Sequence, residues 1–206
     1  MPKSLRTATD NLANDLIEAR KNAVRFATSV AIDPDALLEA YRKLEVRIPG
    51  TRYNKIKDGN RIGWALISRT GKVSDIHGRR FRSYDSETQF DKPTRALRGY
   101  LADVLEDMVT LIGPIYRARI ITIDGYREIA PHHDGHDGSR FYRYHIPIVP
   151  NPQCIFWSEG QPFVMPQAGR LYRFPAWLTH AVINPSGLRS HLMFSSYEDV
   201  KVDRSS

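Results

Sequence analysis

The chain has 206 residues, 41% of them hydrophobic and 26% charged, with 30 Lys or Arg against 23 Asp or Glu and a formal net charge of +7. That is the make-up of a globular protein of about one domain, and no apolar run approaches the ~20 residues that a bilayer span requires. Cys154 is the only cysteine, which excludes an intrachain disulfide framework and fits a reducing compartment.

The first segment, MPKSLRTATDNLANDL, carries a Lys and an Arg with no continuous apolar core behind them, which argues against a secretory signal and for a cytoplasmic protein. From residue 5 to about residue 29, Leu5, Leu12, Leu16, Ala19, Ala23 and Phe26 recur at spacings that share one helical face. Asp33-Pro34 then makes a capped start with proline in the first turn, and Leu37, Leu38, Tyr41 and Leu44 follow at helical intervals. Asn60 to Ser68 reads as a strand, Thr70-Gly71 as a turn and Val73 to Ile76 as a second strand. Gly78 to Asp91 is polar and reads as a loop. A third helix is predicted from Thr94 to Ile112, with Leu97, Leu101, Val104, Leu105 and Met108 as its buried stripe and Gly113-Pro114 as its end.

From Ile115 onward the character changes to short strands, near 115–124, 140–149, 153–158, 161–165, 169–174, 179–184 and 189–197, punctuated by glycines and by Pro185-Ser186-Gly187. Short strands at this spacing predict a sandwich or small double-sheet barrel rather than a parallel sheet. The expected fold is therefore mainly β with N-terminal helices, an α+β chain forming a single domain over 1–206. Residues 1–114 would supply helical support and pocket elements, and 115–197 the β core.

The charge is concentrated. Residues 42–82 hold twelve Lys or Arg against Glu45, Asp58 and Asp75, an excess that accounts for the whole net charge. A solvated basic face is one reading, and recruitment of an acidic substrate or an anionic partner surface is the other. Nucleic-acid binding has little support, since there is no zinc-finger spacing, RNA-binding aromatic signature or basic heptad region.

Six of the seven histidines lie in the β-rich half, at 132, 133, 136, 145, 180 and 191. Ile129-Ala130-Pro131 delivers an extended chain into His132, so His132 and Asp134 project to one side and His133 to the other. His136 is the rival ligand, because Gly135 could bend the chain toward it, and a plain polar loop is the alternative to any metal role. Two imidazoles and a carboxylate, closed by His180 after a 46-residue gap from Asp134, make the facial ligand set of non-heme Fe(II) oxygenases. In Arg140 to Val149, Phe141, Arg143, His145 and Pro147 share one face, while Tyr142, Tyr144, Ile146 and Ile148 share the other. If the second face packs on core, Arg143 and His145 look into the barrel. Such groups need an anion there, either a ligand's or a carboxylate of the protein itself. Arg189 follows His180 by nine residues across the turn at Asn184-Pro185-Ser186-Gly187, so adjacent antiparallel strands would bring the two together. Arg189 could then anchor the far carboxylate of a dicarboxylate. Phe174-Pro175 and Trp177 would give an apolar wall, and Trp157 reads as core.

Pro131-His132-His133-Asp134, Arg143-Tyr144-His145-Ile146-Pro147, His180-Ala181-Val182-Ile183-Asn184 and Arg189-Ser190-His191-Leu192 stand in an order and spacing that resembles the aspartyl/asparaginyl β-hydroxylase-like branch of the 2-oxoglutarate dioxygenases, which includes free-proline hydroxylases. The resemblance covers about residues 115–197. It implies a double-stranded β-helix (jelly-roll, cupin-like) core and Fe(II) on His132, Asp134 and His180. It further implies 2-oxoglutarate on Arg189, with Arg143 and His145 lining the cosubstrate or substrate pocket. The implied reaction consumes O2 and 2-oxoglutarate, with ascorbate as a candidate reductant, and hydroxylates an amino acid, free or within a peptide or protein. A non-catalytic cupin-like protein that binds a metal or a small acid is the rival from another class. The first 110 residues match no motif of that family, so the substrate stays open.

Overall fold

A computed structural model describes residues 25–26, 32–52, 61–76, 86–134 and 139–200. The predicted helix over 5–29 lies outside these residues except at Arg25–Phe26, which form a short strand, β1, paired with Tyr172 and Arg173. Helix α1 spans Pro34–Arg47 as its sequence requires. The Asp33 side chain accepts from the backbone N–H groups of Asp35 and Ala36 at 2.9 and 3.1 Å, capping two donors that the first turn leaves open.

The predicted strand over 60–68 is broken in two, β3 at Arg61–Ala65 and β4 at Ile67–Ser68: the Leu66 N–H still bonds Ala118 O, and beyond it Ile67 and Ser68 change partner to Pro93 and Lys92. The second predicted strand, Val73–Ile76, is a turn: only Val73 O pairs, with Ala65 N, and Asp75 N folds back on Lys72 O. Helix α2 spans Tyr100–Ile112 and starts six residues later than predicted. Thr94 is committed to the junction of β3 and β4, bonding Leu66 O through its N–H and Ala65 O through its hydroxyl. Gly99, at φ +55°, then sets the helix start.

The remaining strands are β2 (Thr51–Arg52), β5 (Lys92–Pro93), β6 (Tyr116–Asp124), β7 (Arg127–His132), β8 (Tyr142–Val149), β9 (Ile155–Ser158), β10 (Gln161–Phe163), β11 (Tyr172–Pro175), β12 (His180–Asn184) and β13 (Leu188–Ser196). They form a seven-stranded sheet in the order β1-β11-β8-β13-β6-β3-β2 and a four-stranded sheet in the order β10-β9-β12-β7, with β4 and β5 as a separate pair. Every pairing is antiparallel. The two larger sheets make the expected double-stranded β-helix, a jelly roll with helices supporting one face. Neither helix is long and apolar enough to cross a membrane.

Period-two alternation decides which side of the large sheet is which. On one face Ala118, Ile120, Tyr144, Ile146, Ile148, Leu192 and Phe194 pack against Leu37, Tyr41 and Leu44 of α1 and Leu101, Val104, Leu105 and Met108 of α2. Fully burying each such side chain is worth about 1.5–3 kcal/mol, so the helices fix this sheet firmly. Its other face turns Arg143, His145, Ile121 and Ile123 toward the small sheet. The polar side chains are thus inside the barrel.

Candidate active site

Between the sheets lies a cavity of about 240 Å³. β7 delivers His132 at its end and β12 opens on His180, and these two residues are register partners across the small sheet with ring centroids 4.3 Å apart. Asp134 lies just beyond β7, where its N–H bonds Ala176 O at 2.8 Å. The ligand atoms of His132, Asp134 and His180 all lie within 4.8 Å of one another. His133 is exposed and outside the group. His136, the rival, lies outside the described residues.

The two imidazoles are held in one tautomer by the backbone. His132 Nδ1 lies 2.8 Å from Ala130 O, and His180 Nδ1 lies 2.8 Å from Leu178 O. A carbonyl oxygen can only accept, so each Nδ1 carries a proton, and in the neutral ring each Nε2 keeps its lone pair. This is the state a metal-ligating histidine needs. Burial pulls the His180 pKa down against the opposing pull of Asp134, so the ring stays neutral at neutral pH. Asp134 directs Oδ1 to within 3.8 Å of His132 Nε2, while its other oxygen is taken by Arg143. Burial alone would raise this carboxyl. The Arg143 guanidinium, helped by His180 and Arg119, overrides it and holds the group ionised far below the usual carboxylate range. The donor set fits a divalent cation: two bare nitrogens and one anionic oxygen.

Arg143 is fully buried and is occupied by the protein. It donates to Asp134 Oδ2 at 2.7 Å, to Ser195 Oγ at 2.5 Å and to Glu87 Oε2 at 3.4 Å. Of the two anions open to this side chain in the sequence, the arrangement found is the protein's own carboxylates. Glu87 sits in a 3-10 turn, Glu87–Gln89, within the stretch that reads as a polar loop. It also accepts from Arg117 at 2.7 Å and Ser195 at 2.6 Å. Burial pushes its carboxyl up, and Arg143 and Arg117 together pull it below the ordinary value.

Arg189 is the opposite case. It is buried at 2% exposure, donates to His191 through Nε (3.3 Å), and stacks over Phe156 at 4.7 Å. No carboxylate among the described residues meets it. Burial pulls its pKa down to about 10, partly offset by Cys154, with Arg61 adding to the fall. His145 lies alongside, its Nδ1 3.3 Å from His191 Nδ1, and its buried Nε2 has no hydrogen-bond partner among the described residues. Burial, reinforced by Arg189, keeps His145 neutral. An unmatched buried cation beside an unpartnered imidazole nitrogen is a built site for an anion.

His180 and Arg189 meet by a route other than the one expected. β12 and β13 are not paired: they belong to different sheets and contribute to the cavity from opposite sides. Phe174 joins the apolar wall as predicted, with Ile121, Ile123, Phe156 and Val182, whereas Trp177 packs on Tyr142 with ring centroids 5.1 Å apart. Trp157 is half-buried rather than core, and its neighbour Phe156 points inward. Arg61, Arg117, Arg119, Arg143 and Arg189 all line the cavity, against Asp134 as the one lining carboxylate among the described residues. Of the 42–82 stretch, Arg61 reaches this cavity while Arg42, Lys43, Arg47, Arg52 and Lys72 are exposed, as on a solvated face. Sequence reasoning missed Glu87 and Ser195 entirely, and nothing local distinguishes either from an ordinary loop or strand residue.

No protein-family model matches the sequence, and no curated protein matches it either. Solved structures do match in shape. An oxidoreductase of the 2OG-Fe(II) oxygenase family from Burkholderia pseudomallei aligns over 94% of this chain and 94% of its own, at 15% identity and TM-score 0.51. A prolyl hydroxylase from Trichoplax adhaerens, in complex with a hypoxia inducible factor oxygen degradation domain peptide fragment, aligns over 95% and 93% at 11% identity and TM-score 0.54. A non-heme α-ketoglutarate-dependent epimerase from nogalamycin biosynthesis aligns over 92% and 82% at 13% identity and TM-score 0.50. At these identities the likeness is one of fold.

Proposed function

We propose that this chain is an Fe(II)- and 2-oxoglutarate-dependent dioxygenase that hydroxylates an amino acid, free or within a peptide or protein, of Asp, Asn or Pro type. One observation carries the reading. Two imidazole nitrogens and one carboxylate oxygen converge in the same cavity as a buried arginine that no carboxylate among the described residues neutralises. His132, Asp134 and His180 would hold the iron, which when bound supplies the O2 activation that protein side chains cannot perform.

The chain's own part is binding, orientation and exclusion of water. Arg189 receives the far carboxylate of 2-oxoglutarate, with His145 Nε2 beside it as the second polar contact. The walls of Ile121, Ile123, Phe156, Phe174 and Val182 keep this ion pair dry, which strengthens it. Arg143 acts on Asp134 rather than on the cosubstrate. The reading takes the chain as a single domain, in which Arg61 and Glu87 of the N-terminal part reach the cavity and its surroundings. The fold, the donor set and the cavity charge support, beside the motifs, a reading near the aspartyl/asparaginyl hydroxylase-like branch.

The test is anaerobic loading with Fe(II) followed by 2-oxoglutarate. A charge-transfer band should appear, and with O2, ascorbate and a panel of amino acids and peptides, succinate and a product heavier by one oxygen should form. Iron binding with no band and no turnover would leave a non-catalytic cupin-like binder. No iron binding at all would remove the metal reading.

A further inference from the structure

We propose that Glu87 is a positioning residue for the metal centre, offsetting Arg143 so that the charge of Asp134 stays available to the metal at Oδ1; this rests on the dioxygenase reading above. Glu87 is 6% exposed, comes from a turn 47 residues before Asp134, and touches no cavity-facing ligand directly. What it touches is the guanidinium that holds Asp134 Oδ2.

The physical reason is competition for one negative charge. A carboxylate with both oxygens free can chelate a metal through both and use up a coordination position. Arg143 removes Oδ2 from that choice and leaves Oδ1 facing His132. A lone buried guanidinium would, however, draw Asp134's charge toward itself and repel a divalent ion arriving on the other side of the same carboxylate. Glu87 sits behind Arg143 and offsets that cation. Ser195 ties the two together, accepting from Arg143 at 2.5 Å and donating to Glu87 at 2.6 Å, and Arg117 holds the other oxygen of Glu87 at 2.7 Å. The geometry leaves Asp134's charge available at Oδ1. Without Glu87, Arg143 and the metal compete for it.

The readout is Mn(II) affinity of the purified apo protein, measured anaerobically by calorimetry, alongside its melting temperature and its 2-oxoglutarate affinity at saturating Mn(II). In Glu87→Gln the Mn(II) dissociation constant should rise by about 10- to 100-fold, the range seen when outer partners of metal ligands are lost. The 2-oxoglutarate dissociation constant should stay within about threefold, since Arg189 is untouched. A lower melting temperature with unchanged Mn(II) affinity means Glu87 is only structural, and overturns the proposal. Should Glu87→Gln not fold, Ser195→Ala removes the bridge while keeping every charge and should weaken Mn(II) binding in the same direction; no change there overturns the proposal equally. Wild-type protein that binds no Mn(II) sinks the metal reading and this inference with it, whereas intact wild-type binding with an unaffected variant sinks this inference alone.

Discussion

Arg143 Nη2 lies 2.7 Å from Oδ2 of Asp134, so the cation that the family resemblance assigns to the cosubstrate or substrate pocket holds the carboxylate proposed to bind the metal. Removing the guanidinium takes from Asp134 its closest cation and leaves Glu87 with Arg117 alone. Arg143→Gln is expected to lower stability by about 3–5 kcal/mol, as breaking buried ion pairs does. Urea denaturation of the apo protein measures it, and a loss below ~1 kcal/mol would show that the network is dispensable.

His132 and His180 should separate metal binding from folding. The His132 side chain is 41% exposed, whereas His180 is buried against Phe174 with ring centroids 4.9 Å apart. His132→Ala should therefore keep the apo melting temperature within about 2 °C, as for a surface change. Its Mn(II) or Fe(II) affinity should nonetheless fall more than ~100-fold, beyond what loss of an outer partner causes. His180→Ala should lose both. Metal titration and thermal scans on the two variants decide it; wild-type affinity in His132→Ala would eliminate that ligand.

Arg189 should trade stability for binding. Its charge is desolvated and unmatched, so Arg189→Met is expected to raise apo stability by about 1–2 kcal/mol while keeping most of the packing on Phe156. The same change should raise the 2-oxoglutarate dissociation constant by at least ~100-fold with Mn(II) affinity unaltered. A variant that is less stable and still binds 2-oxoglutarate would show that the arginine serves the fold.

Acid should weaken the protein early. Burial, reinforced by Arg189, holds His145 and His191 well below the ordinary imidazole value. The unfolded chain takes up these protons near pH 6.5 and the folded one does not. Their contribution is thus complete above about pH 6.5 and is lost as pH falls toward the folded values. Each adds a slope of up to ~1.4 kcal/mol per pH unit. Glu87, whose pKa is also depressed, extends the loss below about pH 4.5. Urea midpoints should fall between pH 7 and 5, and the slope should be shallower in His191→Gln. A flat wild-type profile over that range contradicts the burial of neutral imidazoles.

Sequence by itself determined much that depends on near neighbours. The Asp33 cap and its proline fix the start of α1, the alternation through residues 142–149 sends Arg143 and His145 inward and Tyr144 and Ile146 outward, and the extended approach through Pro131 puts His132 and Asp134 on one side. These follow from local backbone geometry, which a few residues specify. The tertiary structure alone decided which distant groups share a charge. Nothing near Glu87 in the chain marks it as the partner of Arg143, because burial and charge pairing are set by sheet order. For the same reason His180 and Arg189, nine residues apart, face one cavity from two sheets rather than lying side by side. Strand periodicity tells a side chain which face to take; only the packing of one sheet on another tells it what it will meet there.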